Sequence, residues 1–110
     1  MSLYADYLLE RTEDRIVECE TGFATYRYLN DGKSVYIVDI YTVPDARGEG
    51  CASLLANMIV SEAKEKGATE LLGTVVPSAK GATISLKVLL AYGMKLKSAG
   101  DNLVVFRKDI

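Results

Sequence analysis

The stretch from Val35 to Gly67 leaves the fewest options for the fold. VYIVDIYTVP is apolar and β-branched, DARGEGCA is a turn rich in glycine and charge, and SLLANMIVSEAKEKG carries apolar residues at helical spacing. The order is strand, glycine loop, helix N-terminus. Such a junction presents unpaired backbone N–H groups and the positive end of a helix dipole to an anion. The apolar residues of Val35–Val43 do not alternate cleanly, which predicts a central strand covered on both faces. The set Cys51, Leu54, Leu55, Met58 and Ile59 predicts the buried face of the following helix. Glu62 and Lys66 read as an outward i,i+4 pair, and Gly67 as the C-terminal cap.

The rest of the chain supplies partners for that unit. Ser2 can cap a short helix to about Glu10. Arg15–Glu20 and Phe23–Leu29 read as strands, and the Asn30-Asp31-Gly32 turn leads into Val35–Val43, so the first three strands form an antiparallel meander. Glu70–Val76 is the next strand, stopped by Pro77. A helix joins it to Val35–Val43, so those two strands should run parallel. A second helix is expected over Ala79–Tyr92, ended by Gly93. A hairpin of Met94–Ser98 and Leu103–Arg107 turns at Ala99–Asn102.

Composition narrows the chemistry. With 110 residues, 49% of them hydrophobic, the chain suits one domain with a single core. A net charge of −2 gives no basic field for nucleic acid. Histidine is absent, which removes the commonest metal ligand and general base, and no metal site is expected. Cys19 and Cys51 make neither a disulfide framework nor a metal cluster. No signal peptide or membrane span is legible, so the expected setting is cytoplasmic and reducing, with no membrane partner. The acidic N-terminal fifth reads as a solvated face, or as one that favours a cationic substrate.

Thr42-Val43-Pro44-Asp45-Ala46-Arg47-Gly48-Glu49-Gly50-Cys51-Ala52 resembles the acyl-CoA loop of the GNAT superfamily of N-acetyltransferases. Arg47, Gly50 and Ala52 stand at the defined positions of the signature Gln/Arg-x-x-Gly-x-Gly/Ala. Leu90-Ala91-Tyr92-Gly93-Met94-Lys95 is similar to the family's helix-end turn, and Asp101–Ile110 to its closing strand. The likeness takes in about three-quarters of the chain, and the strand before the loop and helix after it make the motif specific.

The resemblance implies an α/β (α+β) fold with a mixed, mostly antiparallel sheet, a central parallel strand pair, and helices on both faces. It implies acetyl-CoA as cofactor, with pyrophosphate held by Arg47, Gly48, Glu49, Gly50, Cys51, Ala52 and Ser53, and the pantetheine arm along the main chain of Ile40, Tyr41 and Thr42. The central strands, Val35–Val43 and Glu70–Val76, should splay to admit that arm. The implied reaction is direct attack of an amine on the thioester, the amine belonging to a small molecule or a protein or peptide. The other reading of RGEGCA is a tight strand-to-helix turn. A dinucleotide-binding unit is a poor fit, because the glycine spacing and strand order differ from that motif.

Catalytic residues are harder to assign. Asp39 is the one acidic residue inside the central strand. It reads as a general base or amine anchor, or else as a charge paired with Arg or Lys at a sheet end. Tyr41 is a second, lesser catalytic candidate. Tyr41 and Tyr36 otherwise read as core or pocket wall, and Tyr92 as packing. The family's usual acid, a tyrosine four residues before the helix-ending glycine, falls on Leu89, and its usual asparagine on Ala82. Cys51 reads as a small packing residue, and Lys80 and Lys87 as surface. The family's additional strand and longer helical pair ahead of the meander have no counterpart in the dozen or so residues before Arg15. The acceptor site is therefore open, or completed in a homodimer. The rival function is a catalytically weak or inactive GNAT-fold module that binds CoA or a protein partner.

Overall fold

The computed structural model describes residues 2–110, apart from the side chains of Ile84 and Ser85. Helix α1 (Leu3–Thr12) begins at Ser2, whose hydroxyl accepts the Ala5 N–H at 3.0 Å. Strands β1 (Arg15–Cys19), β2 (Gly22–Leu29) and β3 (Ser34–Thr42) form the expected meander. A 3₁₀ turn (Pro44–Ala46) and the glycine loop lead to α2 (Cys51–Glu65). Then come β4 (Glu70–Val75), α3 (Ala82–Ala91), β5 (Lys95–Gly100) and β6 (Leu103–Asp109). The six strands form one sheet in the order β1-β2-β3-β4-β6-β5, antiparallel except for β3 beside β4.

The core lies between α2 and the sheet. Leu55, Ile59, Val35 and Leu71 are fully enclosed there, each worth roughly 1.5–3 kcal/mol of burial. The buried stripe of α2 is Cys51, Leu55, Ala56, Ile59 and Ala63. It is rotated from the expected face, since Leu54 and Met58 are exposed. Ala56 and Ala63 are small enough to let the backbone approach the sheet on their side. The same rotation turns Glu62 inward. Among the described residues it makes no ion-pair contact with Lys66; it accepts the hydroxyls of Tyr26 (2.5 Å) and Tyr28 (3.0 Å), which rise from β2.

Met94 and Phe106 extend the core beneath α3, with Leu86, Leu89 and Tyr92 packed against it. Helix α3 begins three residues later than expected, because Gly81 takes a left-handed conformation (φ 81°) at its cap. The hairpin strands run longer than expected and turn at Asp101-Asn102.

Candidate functional site

A single extra residue in β3 decides what the site can present. From the start of the strand, Val35 and Ile37 point into the core opposite Tyr28 and Tyr26. An unbroken alternation would send Asp39 and Tyr41 the same way. Instead the register shifts: Tyr26 faces Ile37, but Thr25 faces Asp39, leaving Val38 as a bulge. Beyond it the parity is reversed. Ile40 and Thr42 now share the face of Ala24 and Gly22, while Asp39 and Tyr41 lie on the opposite face with Thr25 and Phe23. Asp39 is therefore exposed, and the expectation of a carboxylate enclosed among apolar neighbours is corrected. No Arg or Lys pairs with it among the described residues, so the sheet-end ion pair is not formed either.

The bulge sits where the central strands part. Strands β3 and β4 pair only over Ser34–Tyr36 and Glu70–Leu72. From Ile37 onward β3 has β2 on one edge and no strand on the other, so main chain at Ile40, Tyr41 and Thr42 borders a wedge-shaped gap. At the vertex the hydroxyls of Tyr36 and Thr74 bridge the two strands at 2.9 Å.

The glycine loop lies beyond the open end of β3. Gly48 (φ 87°) and Gly50 (φ 86°) hold left-handed conformations, and a Cβ built on either meets nothing within 4 Å. Gly50 is the N-cap of α2 and no side chain caps the helix. The N–H groups of Gly48, Gly50, Cys51, Ala52 and Ser53 have no hydrogen-bond partner among the described residues. Free donors at a helix N-terminus, with open space before two glycines, fit a pyrophosphate. The Arg47 side chain is directed elsewhere: its Nε donates to the Thr42 carbonyl at 3.0 Å and its guanidinium lies 5.7 Å from the Tyr41 ring centroid. Glu49 points outward and is exposed.

The remaining candidates are structural. Leu89 lies over β4, where a Cβ on Gly73 would approach its Cδ2 to 3.1 Å. Tyr92 donates its hydroxyl to Asn57 Oδ1 at 2.6 Å, and burial raises its phenol above the ordinary range. It packs α3 against α2, as expected. Cys51 is buried, as a packing residue should be. The sequence reading missed two features: Thr25, buried on the Asp39 face with its hydroxyl unpartnered, and the Tyr36–Thr74 bridge. Both depend on strand register, which residue types alone do not reveal.

Comparison with known proteins agrees with this geometry. The model of the Acetyltransferase (GNAT) family matches residues 4–84. No curated protein matches the chain. Among solved structures, the PaiA N-acetyltransferase of Thermoplasma acidophilum in complex with coenzyme A superposes with a TM-score of 0.77 at 14% identity, covering 98% of this chain and 69% of that one. A GNAT-family protein of Desulfovibrio desulfuricans also reaches 0.77, at 15% identity, covering 94% and 75%. A Bacillus subtilis acetyltransferase in complex with CoA gives 0.70 at 15% identity, covering 97% and 82%. At such identities the superpositions speak for the fold. The family match spans most of the sequence, and the splayed strands and uncapped glycine loop are the features it implies. The chain belongs to the GNAT family of acetyltransferases.

Proposed function

We infer that the chain is an acetyl-CoA-dependent N-acetyltransferase whose acceptor is a cationic amine. The observation that carries this reading is the set of unpartnered N–H groups at Gly48 and Gly50–Ser53, at the mouth of the gap between β3 and β4. The backbone of Arg47–Ser53 would hold the pyrophosphate, and the free edge of Ile40–Thr42 the pantetheine arm. Arg47 Nε must share or release the Thr42 carbonyl for that edge to be used fully. Acetyl-CoA brings the activated acyl group; the chain must orient the amine, take its proton and exclude water.

Asp39 is suited to the first two tasks. Its carboxylate stands beside the gap, across the strand pair from Thr25, whose hydroxyl lacks a partner. The carboxylate offers an anion to an ammonium group, and the buried Thr25 hydroxyl lies beneath the same face. Glu18, Phe23 and Tyr41 form the neighbouring row of the sheet, where with Glu20 they line a groove and the two rings lie 5.8 Å apart. Acidic groups concentrate a cation there, and the rings provide faces for it. Tyr41 in this arrangement is a wall of the acceptor site. The Tyr36 hydroxyl, bridged to that of Thr74 at the vertex, is a side-chain proton donor beside the parting of the strands. A thiol leaving group with an ordinary pKa near 8.5 does not demand one near neutral pH.

Leu89, in place of the family's tyrosine, favours the second reading: a module that binds acetyl-CoA with little turnover. No helix among the described residues is long and apolar enough to cross a membrane, which fits a cytoplasmic enzyme acting on a small amine or a peptide. An assay of CoA thiol release from acetyl-CoA across polyamines, amino acids and lysine peptides separates the readings. Acceptor-dependent thiol release supports the transferase. Saturable acetyl-CoA binding without release on any amine supports the module.

A further inference from the structure

Cys19 and Cys51 stand 32 positions apart in the chain, yet their sulfurs lie 2.6 Å from each other, inside van der Waals contact. Both are free thiols. Each is held by a rigid support. Cys19 ends β1 opposite Gly22, and the turn that follows is clamped to β3, where the Val43 N–H donates to the Thr21 carbonyl at 2.8 Å. Cys51 opens α2 with its side chain on the core side. Little movement of either support is needed for the sulfurs to bond. Cys19 is half-buried and lines a groove of about 370 Å³ that also reaches Phe23 and Tyr41, so a small reagent has access to it. Hydrogen bonds from Cys51 and from the Thr21 backbone hold the Cys19 thiol below its ordinary value, which favours the nucleophilic thiolate.

We propose that Cys19 and Cys51 form a reversible intrachain disulfide that latches the end of β1 to the first residue of α2. The co-reactant is a low-molecular-weight disulfide. The Cys19 thiolate attacks one of its sulfurs, the small S–S bond breaks, and one small thiolate leaves. Cys51 gives its proton to solvent and attacks the Cys19 sulfur; the Cys19–Cys51 bond forms as the second small thiolate departs. Each departing thiolate takes a proton from water. Two protein thiols are oxidised and one disulfide is reduced to two thiols. The bond closes a covalent ring that contains β2, β3 and the glycine loop up to the α2 N-terminus. Glu18 and Glu20 flank Cys19 and repel an anionic disulfide, so a neutral reagent is the appropriate probe.

In the test, the reduced chain is treated with 2-hydroxyethyl disulfide, quenched with an alkylating agent, and read by intact mass and peptide mapping. The expected product is a monomer lighter by two hydrogen atoms, resistant to alkylation, with the Cys19 and Cys51 peptides cross-linked. A dithiol reductant should restore two alkylatable thiols. Cys51→Ser should stop at a stable mixed disulfide carrying one mercaptoethanol unit on Cys19. The native fold should form the cross-link at least about tenfold faster than the same chain in urea. Two thiols left free, separate adducts on each cysteine, disulfides only between chains, or equal rates folded and unfolded would each overturn the proposal. Mass detects the bond without any ligand, so the result is independent of the acetyl-CoA reading.

Discussion

Asp39 shows how one backbone irregularity changes what a residue means. In sequence it is a charge within a strand of Val and Ile; the bulge at Val38 places it on the open face instead. Asp39→Asn keeps the shape and removes the charge and the proton acceptor. It should lower kcat about 100-fold with little change in acetyl-CoA affinity, measured by initial rates against ligand-induced thermal shift. Unchanged turnover would remove Asp39 from the chemistry. Glu62 carries a different prediction. Burial alone would raise its carboxyl, but the hydroxyls of Tyr26 and Tyr28, with Lys66 and Arg15, hold it below its ordinary value of 4.5. The same contacts, led by burial, push Tyr28 up to about 12 and raise Tyr26 as well. A carboxyl depressed by folding stabilises fully above its unfolded pKa, and that stability is lost as pH falls through the folded one. The melting temperature should therefore drop as pH falls below about 4.5, with Glu70, depressed chiefly by Arg107, acting in the same direction. Glu62→Gln should flatten that dependence; an unaltered acid profile would contradict the assignment.

At the scale of elements, most of the fold was legible and the faces were less so. The meander, the parallel pair, the C-terminal hairpin and the glycine junction follow from turn residues and from helix-linked strands. Which side chain lies on which face follows from register, and here two small features set it. The Val38 bulge reverses half of β3. Ala56 and Ala63 rotate α2 so that Leu54 and Met58, apolar in sequence, lie outside. The conformation of the glycine loop was legible because it resides in backbone freedom, which glycines announce. The neighbourhood of Asp39 was not, because Thr25 and Asp39 come together only across a paired register. The cysteine pair was hidden for the same reason. Gly22 ties these elements together: a Cβ there would lie 2.2 Å from the Tyr41 carbonyl oxygen. Gly22→Ala must push β2 away from the end of β3. It should cost about 2 kcal/mol by chemical denaturation and also weaken acetyl-CoA binding, because Tyr41 and Thr42 move with it. Full stability in that variant would contradict the packing described.

For the whole molecule, the proposed function draws two working surfaces from a single gap in one sheet. The edge of β3 and the uncapped N-terminus of α2 form one; the face bearing Asp39, Thr25, Phe23 and Tyr41 forms the other. On the proposed function the first depends on main chain and tolerates substitution of most side chains, while the second would select the acceptor and is where variants should alter specificity. Acetyl-CoA affinity and acceptor turnover should therefore separate by mutation. Variants of Glu18 and Glu20 to Gln should raise KM for a cationic acceptor several-fold while leaving KM for acetyl-CoA unchanged, and the effect should fade at high salt. The most direct measurement is calorimetric titration of acetyl-CoA into the wild-type chain and into Gly50→Glu, which places bulk and negative charge where the free N–H groups point. Saturable 1:1 binding to the wild type, abolished in the folded variant, is the expected result. No heat and no thermal shift with the wild type at millimolar acetyl-CoA, or equal binding by both proteins, would contradict the loop's assignment as the pyrophosphate site.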